Sequence, residues 1–186
     1  MPRPRLVPAA LVLWAGALTA VTAQLMRPHW VPLPRPDVAD AAWADRVRAA
    51  AEPPAAASWT AVHVLNADCE CSRRVLRSLA ARPPEPGVRE RVLWVTDGRA
   101  GPDPDPRPVG YDVELVSGGA LASRYGVSSA PLLLVLAPDG TPRYSGGYTA
   151  RKQGPAPRDR AILARVLAGE APDPLPVFGC PIAVRP

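Results

Sequence analysis

The stretch RYGVSSAPLLLVLAPDGTPRYSGGY, residues 124–148, decides the fold. Leu132 to Leu136 form a short unbroken apolar run, the pattern of a strand buried on both faces. Pro138-Asp139-Gly140 is a turn signal, and the chain from there to Gly146 reads as the return strand of a hairpin. Just upstream, SGGALASRYGV (117–127) predicts a short helix that ends at Gly126.

Outward from the hairpin, the segment RDRAILARVLA (158–168) predicts an amphipathic helix with Ile162, Leu163, Val166 and Leu167 inside. On the N-terminal side, WTAVHVLN (59–66) reads as a buried strand and VRERVLWVTD (88–97) as a second. Between them CSRRVLRSLAAR (71–82) predicts a helix with Val75, Leu76 and Leu79 on its inner face and Pro83 as its stop. The order β-α-β-α-β-β-α gives an α/β domain. Residues 37–51 predict one more helix ahead of it, N-capped by Asp37, with Val38, Ala42, Trp43 and Val47 on one side and Pro53-Pro54 as its stop.

Two of the three cysteines stand in NADCECSRR (66–74), where the first strand gives way to the helix. Cys69 falls near the helix N-terminus, where the dipole and free N–H groups favour an anion. A thiol so placed has a lowered pKa and is a better nucleophile, and Arg73 and Arg74 one turn on are expected to add to the effect. A loop–helix junction is an unsuited place for an inert core cysteine. Glu70 reads as an exposed carboxylate, and His63, inside a central strand, reads as a core residue. His29 lies next to the apolar N-terminal run.

These segments resemble the thioredoxin superfamily over roughly residues 56–169. AVHVLNADCECSRR is similar to that family's strand, active-site loop and helix start, with Cys69 at the nucleophile position. RYGVSSAPLLLVLAPDGTPRYSGGY is similar to the segment that carries its cis-proline, with Pro131 in that place. With CSRR, GGYTARKQGP and the late FGC, the layout looks closest to membrane-anchored bacterial thioredoxin-like proteins of the RedB type. The resemblance implies a thioredoxin-like central mixed sheet flanked by helices. It also implies thiol–disulfide exchange with protein thiols and disulfides as partners, without a cofactor. Pro131 in cis would hold a backbone edge on which a substrate lies as an added strand, with Ala130 offering its N–H and C=O.

The family's redox motif is Cys-x-x-Cys, and here Ser72 stands where the second cysteine would be. Three geometries remain open. Residues i and i+2 of a helix do not face each other, so a Cys69–Cys71 disulfide would be strained and oxidising. Cys69 with Ser72 alone would give a thiol that forms mixed disulfides. Cys180, in PVFGCPIA, would serve if the tail folds back. We take Cys71 as the resolving thiol and Ser72, Ala130 and Cys180 as auxiliary. The alternatives are a Cu(I) carrier using Cys69, Cys71 and Cys180 and a redox-inert adaptor. With poor histidine candidates and no second ligand pair for zinc, no metal site is assigned.

Compartment follows from the N-terminus. Residues 6–26 carry no charge, enough to cross a bilayer as a helix, and Arg3 and Arg5 precede them. We read residues 1–27 as an uncleaved signal anchor, with cleavage after Val21-Thr22-Ala23 as the rival. Residues 28–55 follow as a stiff proline-rich spacer (28–36) and a short helix. Residues 56–170 are the thioredoxin-like domain and 171–186 a proline-rich tail. The expectation is a single-pass protein of the bacterial inner membrane with its domain on the periplasmic side. The 26 prolines cluster in loops and linkers rather than marking disorder. A net charge of +5, with arginines scattered, does not make the basic stripe that nucleic acid needs, and no phosphate-binding loop is present.

Overall fold

The computed structural model describes residues 6–50, 58–96, 103–152, 154 and 156–182, with the backbone alone for 6, 7 and 27–30. Arg3, Arg5 and Pro53-Pro54 lie outside the described residues. The chain divides into two compact units, Met1–Pro32 and Leu33–Pro186.

The first unit is one helix, α1, Leu6–Trp30. At 1.5 Å per residue it is roughly 37 Å long, more than a hydrocarbon core. Its stretch Pro8–Met26 has a mean hydropathy of 1.7 and no buried share, which makes it a candidate membrane span of the kind that also serves as a signal sequence. Leu11, Leu13, Trp14, Val21 and Leu25 all point outward. The one hydroxyl pair that lipid would penalise is partly satisfied within the helix, because Thr19 Oγ1 donates to the Ala15 carbonyl at 2.9 Å. The helix runs on through Pro28, His29 and Trp30, where a proline-rich spacer was expected to begin. Proline's fixed φ is compatible with helical backbone.

The second unit contains α2 (Ala41–Ala50), β1 (Trp59–Asn66), α3 (Glu70–Ala80), β2 (Val88–Thr96), β3 (Asp112–Ser117) and α4 (Gly118–Tyr125). It continues with β4 (Ser129–Ala130), β5 (Leu132–Leu136), β6 (Pro142–Gly146), α5 (Asp159–Leu167) and β7 (Cys180–Pro181). Five strands form a mixed, thioredoxin-like sheet in the order β3-β2-β1-β5-β6, and β4 with β7 forms a separate two-stranded ribbon. β1 is central, parallel to β2 and antiparallel to β5. Strand residues alternate between faces. Val62 and Val64 therefore join Trp43, Val47, Leu121 and Tyr125 under α2 and α4. Ala61 and Leu65 join Val75, Leu76, Leu79, Ile162, Leu163 and Val166 under α3 and α5. Leu167, expected inside, is only half-buried at the end of α5.

Two elements differ from expectation. α2 starts at Ala41, not at residue 37, because Asp40 rather than Asp37 caps it: its Oδ1 accepts from the N–H groups of Ala42 (3.0 Å) and Trp43 (3.2 Å). Asp37 instead closes the preceding turn through the Ala39 N–H. Ala42 is consequently exposed, while Trp43 reaches across and donates its indole N–H to the Tyr125 carbonyl at 2.7 Å, satisfying the end of α4. Gly126 then turns left-handed at φ 63°, and a Cβ there would come within 3.0 Å of Trp43.

The second difference is β3, whose alternating acids conceal an edge strand. Asp112 and Glu114 are paired across the sheet with Arg89 and Arg91 at 2.8–3.0 Å, so the charges lie along strand neighbours instead of marking a loop.

On the α3/α5 face, β1 brings His63 into a polar cluster that is buried apart from the partly exposed Arg82. Its Nε2 is 2.8 Å from Glu90 and its Nδ1 2.9 Å from the Tyr148 hydroxyl. Arg82 donates both terminal nitrogens to Glu90 at 3.1 Å and one of them also to Asp159 at the start of α5. Burial alone pushes the Glu90 carboxyl up, but the hydrogen bonds from His63 and Arg82 outweigh it and hold the group down at about 2. A carboxylate depressed on folding contributes stability above its unfolded value and loses it as pH falls toward the folded one. We expect the urea midpoint of the detergent-solubilised chain to drop between about pH 4.5 and pH 2. Glu90→Ala should cost on the order of 3 kcal/mol at pH 7, because it leaves Arg82 buried without its main partner. Equilibrium unfolding of both proteins over that pH range checks this.

Candidate functional site

Asn66 ends β1 and turns the chain. Its side-chain oxygen accepts from the Asp68 N–H at 2.9 Å and its carbonyl from the Cys69 N–H at 3.1 Å. That turn delivers Cys69 to the cap position of α3 with extended backbone, φ −107° and ψ 116°, and its carbonyl accepts the first helical bond from Arg73. α3 follows because Val75, Leu76 and Leu79 recur on its buried face, with Glu70 in the first turn and Arg77 in the last complementing the dipole.

Opposite the sulfur lies the Ala130–Pro131 peptide, which is cis. Cys69 Sγ is 4.0 Å from the Ala130 carbonyl oxygen. The backbone edge at Ser129 and Ala130 is occupied. β7 pairs with it antiparallel, Cys180 opposite Ala130 and Pro181 opposite Ser129, and the Ile182 N–H extends the ribbon to the Ser128 carbonyl at 2.8 Å. The approach is so close that a Cβ on Gly179 would stand 1.9 Å from the Ala130 oxygen and 2.5 Å from the Pro131 ring. The tail is fixed on both sides of this crossing by Val177 and Ile182, which are buried in the α2/α4 core. The residues expected to act as a spacer help to hold it. Leu33 donates its N–H to the Val177 carbonyl at 2.8 Å, and the Pro34 carbonyl accepts from Ser129 Oγ at 2.6 Å.

Cys69 is consequently 0% exposed, although a loop–helix junction predicts an accessible thiol. Cys71 and Cys180 are half-buried, and none of the three is in a disulfide in this structure. The Cys69 thiol is held down at about 5. The hydrogen bond from Cys71 is the chief cause; burial opposes it, and Cys180 and the Ser72 N–H assist. The same bond, with burial, raises Cys71, and burial followed by the bond to Cys69 raises Cys180 to about 12. One thiolate is thus solvated by two thiols. Arg73 and Arg74, expected to do this, are not among the leading causes. Arg73 is held by Glu70 at 2.9 Å and by the Ala67 carbonyl, and Arg77 holds the other Glu70 oxygen. Ser72, fully buried, makes no close hydrogen bond through its hydroxyl.

Beside the thiols opens a cleft of about 430 Å³, where Cys71, Val75, Pro131, Tyr148 and Phe178 are among the lining residues. Among the described residues no group of three or more His, Cys, Asp or Glu is arranged to hold a metal ion. Sequence reasoning placed Cys69, Cys71 and Pro131 at the site with Ser72, Ala130 and Cys180 as auxiliaries, and in the structure the six lie in one neighbourhood. It missed Gly179, Val177 and Ile182. The signal for them was slight, two aliphatic residues and a glycine in a proline-framed tail.

No protein-family model and no curated protein sequence matches the chain. Among the solved structures that share the fold are two with these likenesses. One is an uncharacterized conserved protein from Geobacillus kaustophilus, at 19% identity and a TM-score of 0.55, over 69% of this chain and 78% of that one. The other is a hypothetical protein from Sinorhizobium meliloti 1021, at 17% identity and a TM-score of 0.53, over 68% and 79%. At these identities the likeness speaks to the fold alone.

The thiolate gives a direct readout. Ultraviolet absorbance near 240 nm of the reduced chain should rise through an inflection near pH 5. Cys69→Ser should remove that inflection, and Cys71→Ala, which deletes the principal donor, should move it upward. An inflection that survives Cys69→Ser would assign the low-pKa thiol elsewhere.

Proposed function

We propose that this chain is a membrane-anchored thiol–disulfide oxidoreductase of thioredoxin type, similar to the RedB-type proteins. Cys69 is its attacking thiolate and Cys71 its resolving thiol. The observation that carries the reading is the Cys69 sulfur at the α3 cap, 4.0 Å from the carbonyl that precedes a cis-proline, where its neighbours hold the thiol down at about 5. A thiolate at neutral pH is what disulfide exchange requires. Cys69 attacks one sulfur of a partner disulfide, the partner bond breaks, and the other partner sulfur leaves as thiolate. Cys71 then gives up its proton and attacks Cys69 Sγ, and the partner's second sulfur leaves. The partner disulfide gains two electrons and Cys69 with Cys71 loses two.

The direction follows from the charge. Stabilising the Cys69 thiolate stabilises the reduced pair, so the exchange favours the reverse of these steps: a partner thiolate attacks Cys69 Sγ of the Cys69–Cys71 disulfide, Cys71 leaves, and the partner's second thiol then displaces Cys69 as thiolate and takes the disulfide. The apolar cleft beside Cys71 gives an approaching protein a place for a side chain next to its cysteine. Pro131 and Ala130 would present the edge once the tail residues paired there leave it. Arg3 and Arg5 before the uncharged run keep the N-terminus cytoplasmic and put the domain on the periplasmic side of the inner membrane, where disulfides persist.

Three variants of the full chain in detergent micelles test the assignment by oxidation of a reduced model protein and by trapping. Cys69→Ser should lose at least 100-fold in rate. Cys71→Ser combined with Cys180→Ser should accumulate a mixed disulfide at Cys69. Ser72→Ala should retain most of the rate. Full activity in Cys69→Ser would remove the assignment.

A further inference from the structure

In a domain of this kind the edge at Ser129–Ala130 is where a partner strand would add. In this chain it is filled by the chain's own tail, with a cysteine at the residue that pairs with Ala130. We propose that residues 177–182 are a built-in substrate strand, and that in the oxidised protein Cys180 takes the disulfide from Cys71, leaving a Cys69–Cys180 bond. This rests on the exchange reading of Cys69.

Three observations carry it. The first is placement. Cys180 stands opposite Ala130, whose carbonyl is 4.0 Å from Cys69 Sγ, so strand pairing brings Cys180 to the residue beside the Cys69 sulfur. The second is the glycine beside it. Gly179 lies so near Ala130 that any side chain would overlap the backbone, and Val177 and Ile182 fasten the segment on either side. The tail is therefore part of the fold and not a passing contact. The third is the geometry of the competitor. Cys69 is the cap of α3, with extended backbone, and Cys71 lies in the first turn two residues on, so a bond between them closes a tight ring across one intervening residue and is strained. Cys180 lies on an extended strand, and its approach leaves the helix intact.

The step balances within the chain. A small disulfide such as oxidised glutathione first converts Cys69 and Cys71 to their disulfide, releasing two glutathione thiols. The Cys180 thiolate then attacks Cys69 Sγ. The Cys69–Cys71 bond breaks, the Cys69–Cys180 bond forms, and Cys71 leaves as thiolate and takes up the proton that Cys180 lost. No electrons enter or leave in this second step. Cys71, half-buried beside the cleft, is then the remaining thiol. A partner strand would have to displace residues 179–181 from the edge, and the returning tail would expel it.

The test is disulfide mapping of the full-length chain in detergent micelles. The chain is reduced, equilibrated with oxidised glutathione, blocked with N-ethylmaleimide, digested and analysed by mass spectrometry. The expected result is a peptide joining residue 69 to residue 180, with the blocking group on Cys71. Cys180→Ser should instead hold a Cys69–Cys71 bond, and its equilibrium with glutathione should lie at least tenfold further toward the reduced form, about 30 mV more oxidising. Gly179→Ala, which lifts the tail from Ala130, should shift the wild-type pattern the same way. A Cys69–Cys71 bond with the blocking group on Cys180 in the unmutated chain overturns this inference and leaves the exchange reading standing. A chain that takes up no disulfide overturns both.

Discussion

The pairing of Cys180 with Ala130 is the constraint on which the site depends. Two residues of ribbon are little structure, yet they close the top of the Cys69 sulfur. Burial by itself would make a thiolate there unfavourable. The same ribbon brings a second thiol within reach, and the first turn of α3 brings the other. The Cys71 and Cys180 thiols, with the Ser72 N–H, lead the groups that favour the charge. That arrangement exists only if the tail lies where it does. The tail in turn lies there because Gly179 has no side chain and because Val177 and Ile182 are core residues.

The two faces of the sheet divide the work. The α2/α4 face fastens the tail and, through Trp43 and the Tyr125 carbonyl, the approach to the cis-proline. The α3/α5 face carries the buried His63, Glu90, Arg82, Asp159 and Tyr148 cluster, which ties two strands to the ends of two helices. Such a cluster tolerates loss of one member poorly, because each charge is compensated only by the others. Tyr148 belongs both to that cluster and to the cleft beside Cys71, so the chemistry rests directly on the most polar part of the core. On the surface above, Glu70 draws Arg73 and Arg77 together along α3 and keeps the nearest guanidinium turned to a carboxylate.

Legibility followed the physics of local pattern. β1, β5 and the hairpin into β6 were readable because short β-rich runs lie between turn signals, and α3 and α5 because apolar residues recur at helical spacing. β3 was not, since Asp112 and Glu114 look like loop residues until Arg89 and Arg91 are seen beside them. The start of α2 was misplaced because Asp37 and Asp40 are both good caps, and only the docking of Trp43 on α4 selects between them.

The sequence by itself determined that a cysteine would stand at a strand-to-helix junction, that Pro131 would precede a buried strand, and that an uncharged N-terminal run would be a candidate membrane helix. Each follows from residue type and spacing over a few turns of chain. The tertiary structure alone decided that Cys69 is buried, that Cys71 and Cys180 are among the chief groups favouring its thiolate, and that the edge beside Ala130 holds the chain's own tail. Those facts depend on Cys69, Ala130 and Cys180, which are far apart along the chain. Contacts at that separation leave no periodicity to read, only a glycine whose necessity shows when another backbone lies against it.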